Sequence, residues 1–251
     1  DALPIWPGQR VRAESVFQSA SAGRPLLAQA PTGIGKTVGT LFPLLKAAPA
    51  KKLDKIFFLS AKTPGRKLAL DAVRTLMEKQ PDTPLRTLEL IAREKSCEHP
   101  DKACHGESCP LAQGFYDRLP AARAAAANHA MLDRQRLREL ALEHNVCPYY
   151  LSQEMARWSD LVVGDYNYYF DLSALLYGLT TENQWRVAVP AGEAHKLVDR
   201  ARGRDSAALE QPTLRARQRQ APAPPKRPVE RLNRQRHAPQ QETPTPRRTR
   251  P

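Results

Sequence analysis

Ala30-Pro31-Thr32-Gly33-Ile34-Gly35-Lys36-Thr37 is the stretch that decides how the 251 residues fold. The apolar run before it, Pro25–Ala30, predicts a short strand. The residues after it, Thr37–Ala48, set Val38, Leu41, Leu44, Leu45 and Ala48 at helical spacing. A strand, a turn of small residues closing in Gly-Lys-Thr, and a helix are the context a Walker A phosphate loop requires. Small residues let backbone N–H groups approach phosphate oxygens, and the helix N-terminus faces the anion. Thr32, Gly33, Ile34 and Gly35 form that cradle, Lys36 reaches the β and γ phosphates, and the Thr37 hydroxyl holds Mg²⁺. Ala30 replaces the first glycine of the general pattern, a mild change because alanine is also small.

Working outward, Lys55–Ser60, Leu85–Ile91, Leu161–Val163 and Arg186–Val189 predict further strands, with an amphipathic helix over Gly65–Glu78. Alternating elements of this kind predict an α/β fold, a P-loop domain on a parallel sheet. Pro43 is expected to kink the helix that follows the loop. The length suits one such domain with some excess. No apolar run approaches the ~18 residues of a membrane span, which excludes a transmembrane helix. The opening DALPIWPGQR has no basic region followed by an apolar one, so no secretory signal is expected and the chain reads as intracellular.

Charge is unevenly placed. Overall 39 basic residues face 26 acidic ones. Residues 1–90 carry 14 basic and 7 acidic groups, residues 91–147 carry 8 of each, and residues 204–251 carry 12 against 4. That last segment holds 9 of the 23 prolines, has no aromatic residue, and offers only Leu209, Leu214, Val229 and Leu232 as large aliphatics. It cannot bury a core, so 204–251 is expected to be a disordered basic tail, with the organised domain over 1–203.

Four cysteines remain: Cys97, Cys104, Cys109 and Cys147, spaced C-x6-C-x4-C-x37-C between the third strand and the Leu161 strand. They stand among helix-like stretches at Leu111–Leu119 and Ala121–Glu143. No C-x2-C pair is present, which weakens a zinc-knuckle reading. Four thiolates on separate loops also suit an iron–sulfur cluster, which accepts irregular spacing. From the residues alone, cluster, zinc and inert thiols all stay open.

Taken together, QAPTGIGKT (Gln29–Thr37), FFLSAKT (Phe57–Thr63), the cysteines ending in CPYYLSQEMARWSD (Cys147–Asp160), VVGDYNYYFD (Val162–Asp171) and GEAHKLVDRARG (Gly192–Gly203) resemble the DinG/XPD family of superfamily 2 DNA helicases. The likeness runs in order from about Gln9 to Gly203. It implies a RecA-like domain with a helical [4Fe–4S] insertion over about 92–150 held by Cys97, Cys104, Cys109 and Cys147. The implied activity is ATP-dependent 5′ to 3′ unwinding of single-stranded or forked DNA, in the cytoplasm at the nucleoid. By the same likeness Gln9 reads adenine, Lys36 and Thr37 contact phosphate and Mg²⁺, and Lys62, Thr63 and Arg66 lie along the single strand. The aromatics of Tyr166–Phe170 are read either as base-stacking groups or as core.

The family's Walker B element ends in Asp-Glu-Ala-His, whereas this chain reads Gly192-Glu193-Ala194-His195. Glu193 and His195 keep their implied catalytic places, and the Mg²⁺-supporting aspartate is replaced by Gly192. Pro190 removes a ladder donor near the end of the same strand. A complete helicase of this kind also has a second RecA-like domain and an arch-like insertion, which the 48 residues after Gly203 cannot build. Those residues read either as an out-of-frame sequence or as a nucleic-acid-binding extension. The resemblance therefore implies impaired hydrolysis and no autonomous unwinding. A nucleotide- and DNA-binding module without turnover and a zinc-containing P-loop ATPase are the alternatives.

Overall fold

A computed structural model describes residues 7–30, 35–171 and 174–197. Thr32, Gly33 and Ile34 of the expected cradle lie outside the described residues, as does the expected tail over 204–251. In chain order the elements are α1 (Pro7–Ala22), α2 (Val38–Lys51), β1 (Lys55–Leu59), α3 (Thr63–Lys79), β2 (Thr87–Glu89), α4 (Arg93–Ser96), α5 (Phe115–Ala127), β3 (Met131–Leu132), α6 (Arg134–Glu143), α7 (Pro148–Met155), β4 (Leu161–Gly164), α8 (Asn167–Phe170), α9 (Leu175–Asn183) and β5 (Val187–Ala188), then a 3₁₀ turn at Ala194–Lys196.

The five strands form one parallel sheet in the order β3-β2-β4-β1-β5. Both faces are covered, as parallel sheets require. Phe57, Leu59, Leu88, Leu90 and Val162 point to one core with α5, α6, α7 and α9, while Ile56, Phe58, Leu161 and Val163 point to the other with α2 and α3. Adjacent residues of β1 thus alternate between cores, and every one of its five residues is buried. No helix of the described residues is long and apolar enough to cross a membrane.

The expected strand at Pro25–Ala30 is not formed. Its backbone makes no ladder, and the outer edge of β5 carries no further strand among the described residues. Leu27 is left 87% exposed. The expected strand at Arg186–Val189 shrinks to Val187–Ala188, and pairing resumes only as a single bridge from Leu59 to Ala191. The gap falls at Pro190, whose carbonyl still accepts the Leu59 N–H at 2.9 Å but which has no N–H to return. α2 runs through both Pro43 and Pro49 as one helix.

The expected insertion is not purely helical. The stretch read as one helix over Ala121–Glu143 breaks at Asn128 and yields β3, which pairs with β2 and becomes the sheet's outermost strand. Likewise the helix read over Leu111–Leu119 begins only at Phe115, after Gly114 at φ 59°. Asp133 explains the restart, since its Oδ1 accepts the Arg136 N–H at 3.0 Å and caps α6, while its Oδ2 accepts Arg74 Nη2 at 2.7 Å from α3. Asp133→Ala is expected to lower the unfolding free energy by about 0.5–2 kcal/mol, and Asp133→Asn, which keeps the cap, by less. Urea unfolding of the two variants measures the difference.

Candidate nucleotide and nucleic-acid site

The phosphate-loop residues that the structure describes sit against α1. Gly35 has φ 68°, a left-handed conformation that favours glycine, and a Cβ there would meet Gln9 Nε2 at 2.9 Å. The expected adenine-reading glutamine therefore lies directly on the loop, although 26 residues separate the two in sequence. Lys36 Nζ donates to the Ala30 carbonyl at 3.2 Å. Thr37 is the N-cap of α2 and makes no side-chain capping bond. One residue earlier, the Lys36 carbonyl is held from the side by Arg12 Nη2 at 2.7 Å and Thr40 Oγ1 at 2.8 Å.

A second group forms where the parallel strands end, the edge at which open α/β sheets bind ligands. After β1 come Ser60, Lys62 and Thr63, after β4 comes Asp165, at the end of β2 stands Glu89, and after β5 come Gly192 and Glu193. Lys62 and Thr63 are exposed at the start of α3. Arg66 is only 8% exposed. Its Nη2 donates to Thr63 Oγ1 at 3.0 Å, its Nη1 reaches the Ser60 carbonyl at 3.4 Å, and Asp165 Oδ2 pairs with it at 3.6 Å. Arg66 thus braces the turn from below. Burial raises the Glu89 carboxyl above its ordinary range, against the pull of the Arg134 N–H, which donates to Glu89 Oε2 at 3.1 Å.

The Gly192 N–H donates to the Leu59 carbonyl at 3.0 Å, so the altered Walker B turn is stitched to the end of β1. Glu193 has φ 59°, unusual for a residue with a side chain. Its Oε2 accepts Lys196 Nζ at 3.0 Å, which holds the carboxyl below its ordinary range, and its Oε1 lies 3.9 Å from Lys62 Nζ. Among the described residues no hydrogen bond or ion pair joins Glu193 or His195 to Lys36 or Thr37. The aromatics expected either to stack or to fill the core join the core: Tyr166 is fully buried, and Tyr168, Tyr169 and Phe170 pack against the core from its margin, Tyr169 on Phe57 at 5.9 Å between ring centres.

All four cysteines are free thiols. Cys97 ends α4, Cys104 and Cys109 lie in the turns before α5, and Cys147 precedes Pro148 at the start of α7. Burial raises the Cys147 thiol, and Cys97 and Cys109 are near enough to add to that, while the amides of Tyr149 and Tyr150 favour the thiolate. Among the described residues no three His, Cys, Asp or Glu side chains converge on a point that suits one metal ion. The four donors are all sulfur and come from three separate segments, a donor type that iron–sulfur clusters take. Beside them lies a cavity of about 110 Å³ lined by Glu89, Cys97, Glu98, Arg134, Arg138 and Pro148.

The DEAD_2 family model matches residues 82–214, more than half of the chain. The chain belongs to the DEAD_2 family. A second model, DEAD/DEAH box helicase, matches residues 11–119. A curated relative, the general transcription and DNA repair factor IIH helicase subunit XPD of Dictyostelium discoideum, is 23% identical over 195 residues, covering 66% of this chain and 25% of that protein. The DEAD_2 chain thus spans about a quarter of that relative's length. Two solved structures share its fold. A truncated XPD gives a TM-score of 0.50 at 18% identity, covering 89% of this chain and 64% of that one. An XPD helicase gives 0.53 at 16% identity, covering 93% and 40%.

Sequence reasoning missed three features of this DEAD_2 chain. α1 carries no amphipathic signal in PGQRVRAESVFQSASA, so Arg12 went unread. β3 is two residues long and exists through its pairing. The bidentate pair of Arg138 with Glu98, at 2.6 and 2.8 Å, joins residues 40 apart and leaves no local pattern.

Proposed function

We propose that this chain is the ATP-binding and [4Fe–4S] portion of an ATP-dependent DNA helicase acting 5′ to 3′ on single-stranded or forked DNA. The observation that supports the nucleotide part is the Gln9 amide lying against Gly35, next to Lys36 and Thr37 in the chain, a position that suits an adenine-reading glutamine beside a phosphate lysine. Thr32, Gly33, Ile34 and Gly35 cradle the phosphates, Lys36 pairs with them, and Thr37 takes Mg²⁺. Cys97, Cys104, Cys109 and Cys147 hold the cluster, which would tie their separate segments together and supply a one-electron redox centre. The DEAD_2 and DEAD/DEAH box helicase matches support the nucleotide assignment.

Turnover in this chain is slow under the same reading. Gly192 contributes no carboxylate to Mg²⁺, and Glu193, the implied water-orienting group, is engaged by Lys196 and Lys62. DNA follows the exposed edge after β1. Lys62 and Thr63 touch phosphate, and Arg66 supports them from within. The basic residues of 204–251 add sequence-independent affinity. The paired replacement Lys62→Ala with Thr63→Ala is expected to weaken single-strand binding and to flatten the dependence of log K on log salt by about 0.7 per lost phosphate contact. Deleting 204–251 flattens it further. Fluorescence anisotropy over a salt series, run beside a DNA-stimulated ATPase assay, tests the whole reading. Unchanged slopes would remove the DNA path, and ATPase activity equal to that of a complete helicase would remove the claim of impaired turnover.

A further inference from the structure

Arg12 belongs to none of the motifs above, yet its side chain hydrogen-bonds the backbone of Lys36. α1 places Gln9 and Arg12 three residues apart, on one face, and both reach the junction between the loop and α2. There the backbone departs from a regular helix. The Thr40 N–H turns to the Thr37 carbonyl at 3.2 Å, so the Lys36 carbonyl takes side-chain donors in place of an amide. Arg12 Nη2 supplies one at 2.7 Å and Thr40 Oγ1 the other at 2.8 Å, and Arg12 Nη2 also donates to Thr40 Oγ1 at 2.8 Å. The three groups close a triangle around the carbonyl of the lysine meant for phosphate.

The rest of the guanidinium is unmatched. Arg12 Nε and Nη1 are buried and have no hydrogen-bond partner among the described residues. Burial also weakens its hold on its proton relative to an ordinary arginine. A stranded cationic donor pair costs stability until an anion or an acceptor meets it. A second positive charge is thereby kept beside Lys36 at some cost to the empty protein.

We propose that Arg12 is a positioning residue for nucleotide phosphate: it fixes the backbone of Lys36 through the Lys36 carbonyl and Thr40, and its buried charge adds to the pull on the bound anion. The proposal rests on the nucleotide-binding reading of the loop. Titration calorimetry of the full chain with ADP and, separately, with adenosine tests it, alongside melting of the empty protein. Arg12→Gln is expected to weaken ADP by about tenfold or more, the order of a lost charged hydrogen bond. Adenosine, which has no phosphate, changes little, and the empty protein melts no earlier, because an unmatched buried cation is removed together with its two bonds. Thr40→Val, of equal volume, weakens ADP by a smaller factor.

If Arg12→Gln binds ADP as the wild type does while Lys36→Ala does not bind it, Arg12 is only a strut between helices and the proposal falls. Equal losses for ADP and adenosine would overturn it in the same way. If the wild type itself binds neither ligand, the nucleotide reading fails first. Should Arg12→Gln not fold, Arg12→Lys decides: its single ammonium cannot reproduce the planar fork, so wild-type ADP affinity in that variant would overturn the proposal.

Discussion

Lys36→Ala is expected to abolish measurable ADP and ATP binding while leaving the fold in place. The side chain stands at the surface, and its hydrogen bond among the described residues, to the Ala30 carbonyl at 3.2 Å, contributes little to the empty protein. Under the proposed reading it is the principal cation on the β and γ phosphates of bound nucleotide. Two charge-assisted hydrogen bonds at about 1.5–3 kcal/mol each put the loss near 100-fold or beyond. Calorimetry with both nucleotides reads it, and circular dichroism checks the fold. The wild type is expected to bind ATP and turn it over slowly. Under the proposed reading Gly192 gives Mg²⁺ no carboxylate, and an arginine finger from a second domain is worth about 10³–10⁵ in rate. Binding of ATP by Lys36→Ala with wild-type affinity would show that the loop is a structural turn.

The second large effect is on metal content. Anaerobically purified protein is expected to carry about four iron atoms and matching sulfide per chain, with broad absorption in the visible range that is lost on reduction or chelation. Cys147→Ser removes nearly all of it. Cys147 is the proposed ligand farthest along the chain, at the mouth of α7, whose Leu151 and Met155 are fully buried in the core with residues of β2 and β4. Without its sulfur, the segment holding Cys97, Cys104 and Cys109 loses its anchor to that core. One equivalent of zinc with no iron or sulfide would overturn the cluster assignment and leave a zinc-bearing P-loop protein.

The phosphate loop was legible because its chemistry is local. Gly35, Lys36 and Thr37 lie side by side, and the positive φ of Gly35 is a demand that a short stretch of residues can announce. The parallel sheet was legible for a related reason, since buried strands need unbroken apolar runs, and KIFFL and LVVG have no other reading. Arg66 shows what residue type leaves open. A basic residue one turn into a helix reads as a phosphate contact, and the structure adds an inward partner for it, Asp165, just after a strand that starts 95 residues later.

By itself, then, the sequence determined the parallel α/β sheet and the family likeness, both carried by short runs of neighbouring residues. Tertiary structure alone decided that Pro25–Ala30 forms no strand, that β3 joins the sheet, and that Arg12 grips Lys36. A strand exists only once it has paired with a neighbour, and a side chain has a role only once its acceptors have arrived. Those partners lie 24 residues away for Arg12 and 44 for the pairing of β3 with β2, distances over which sequence carries no register.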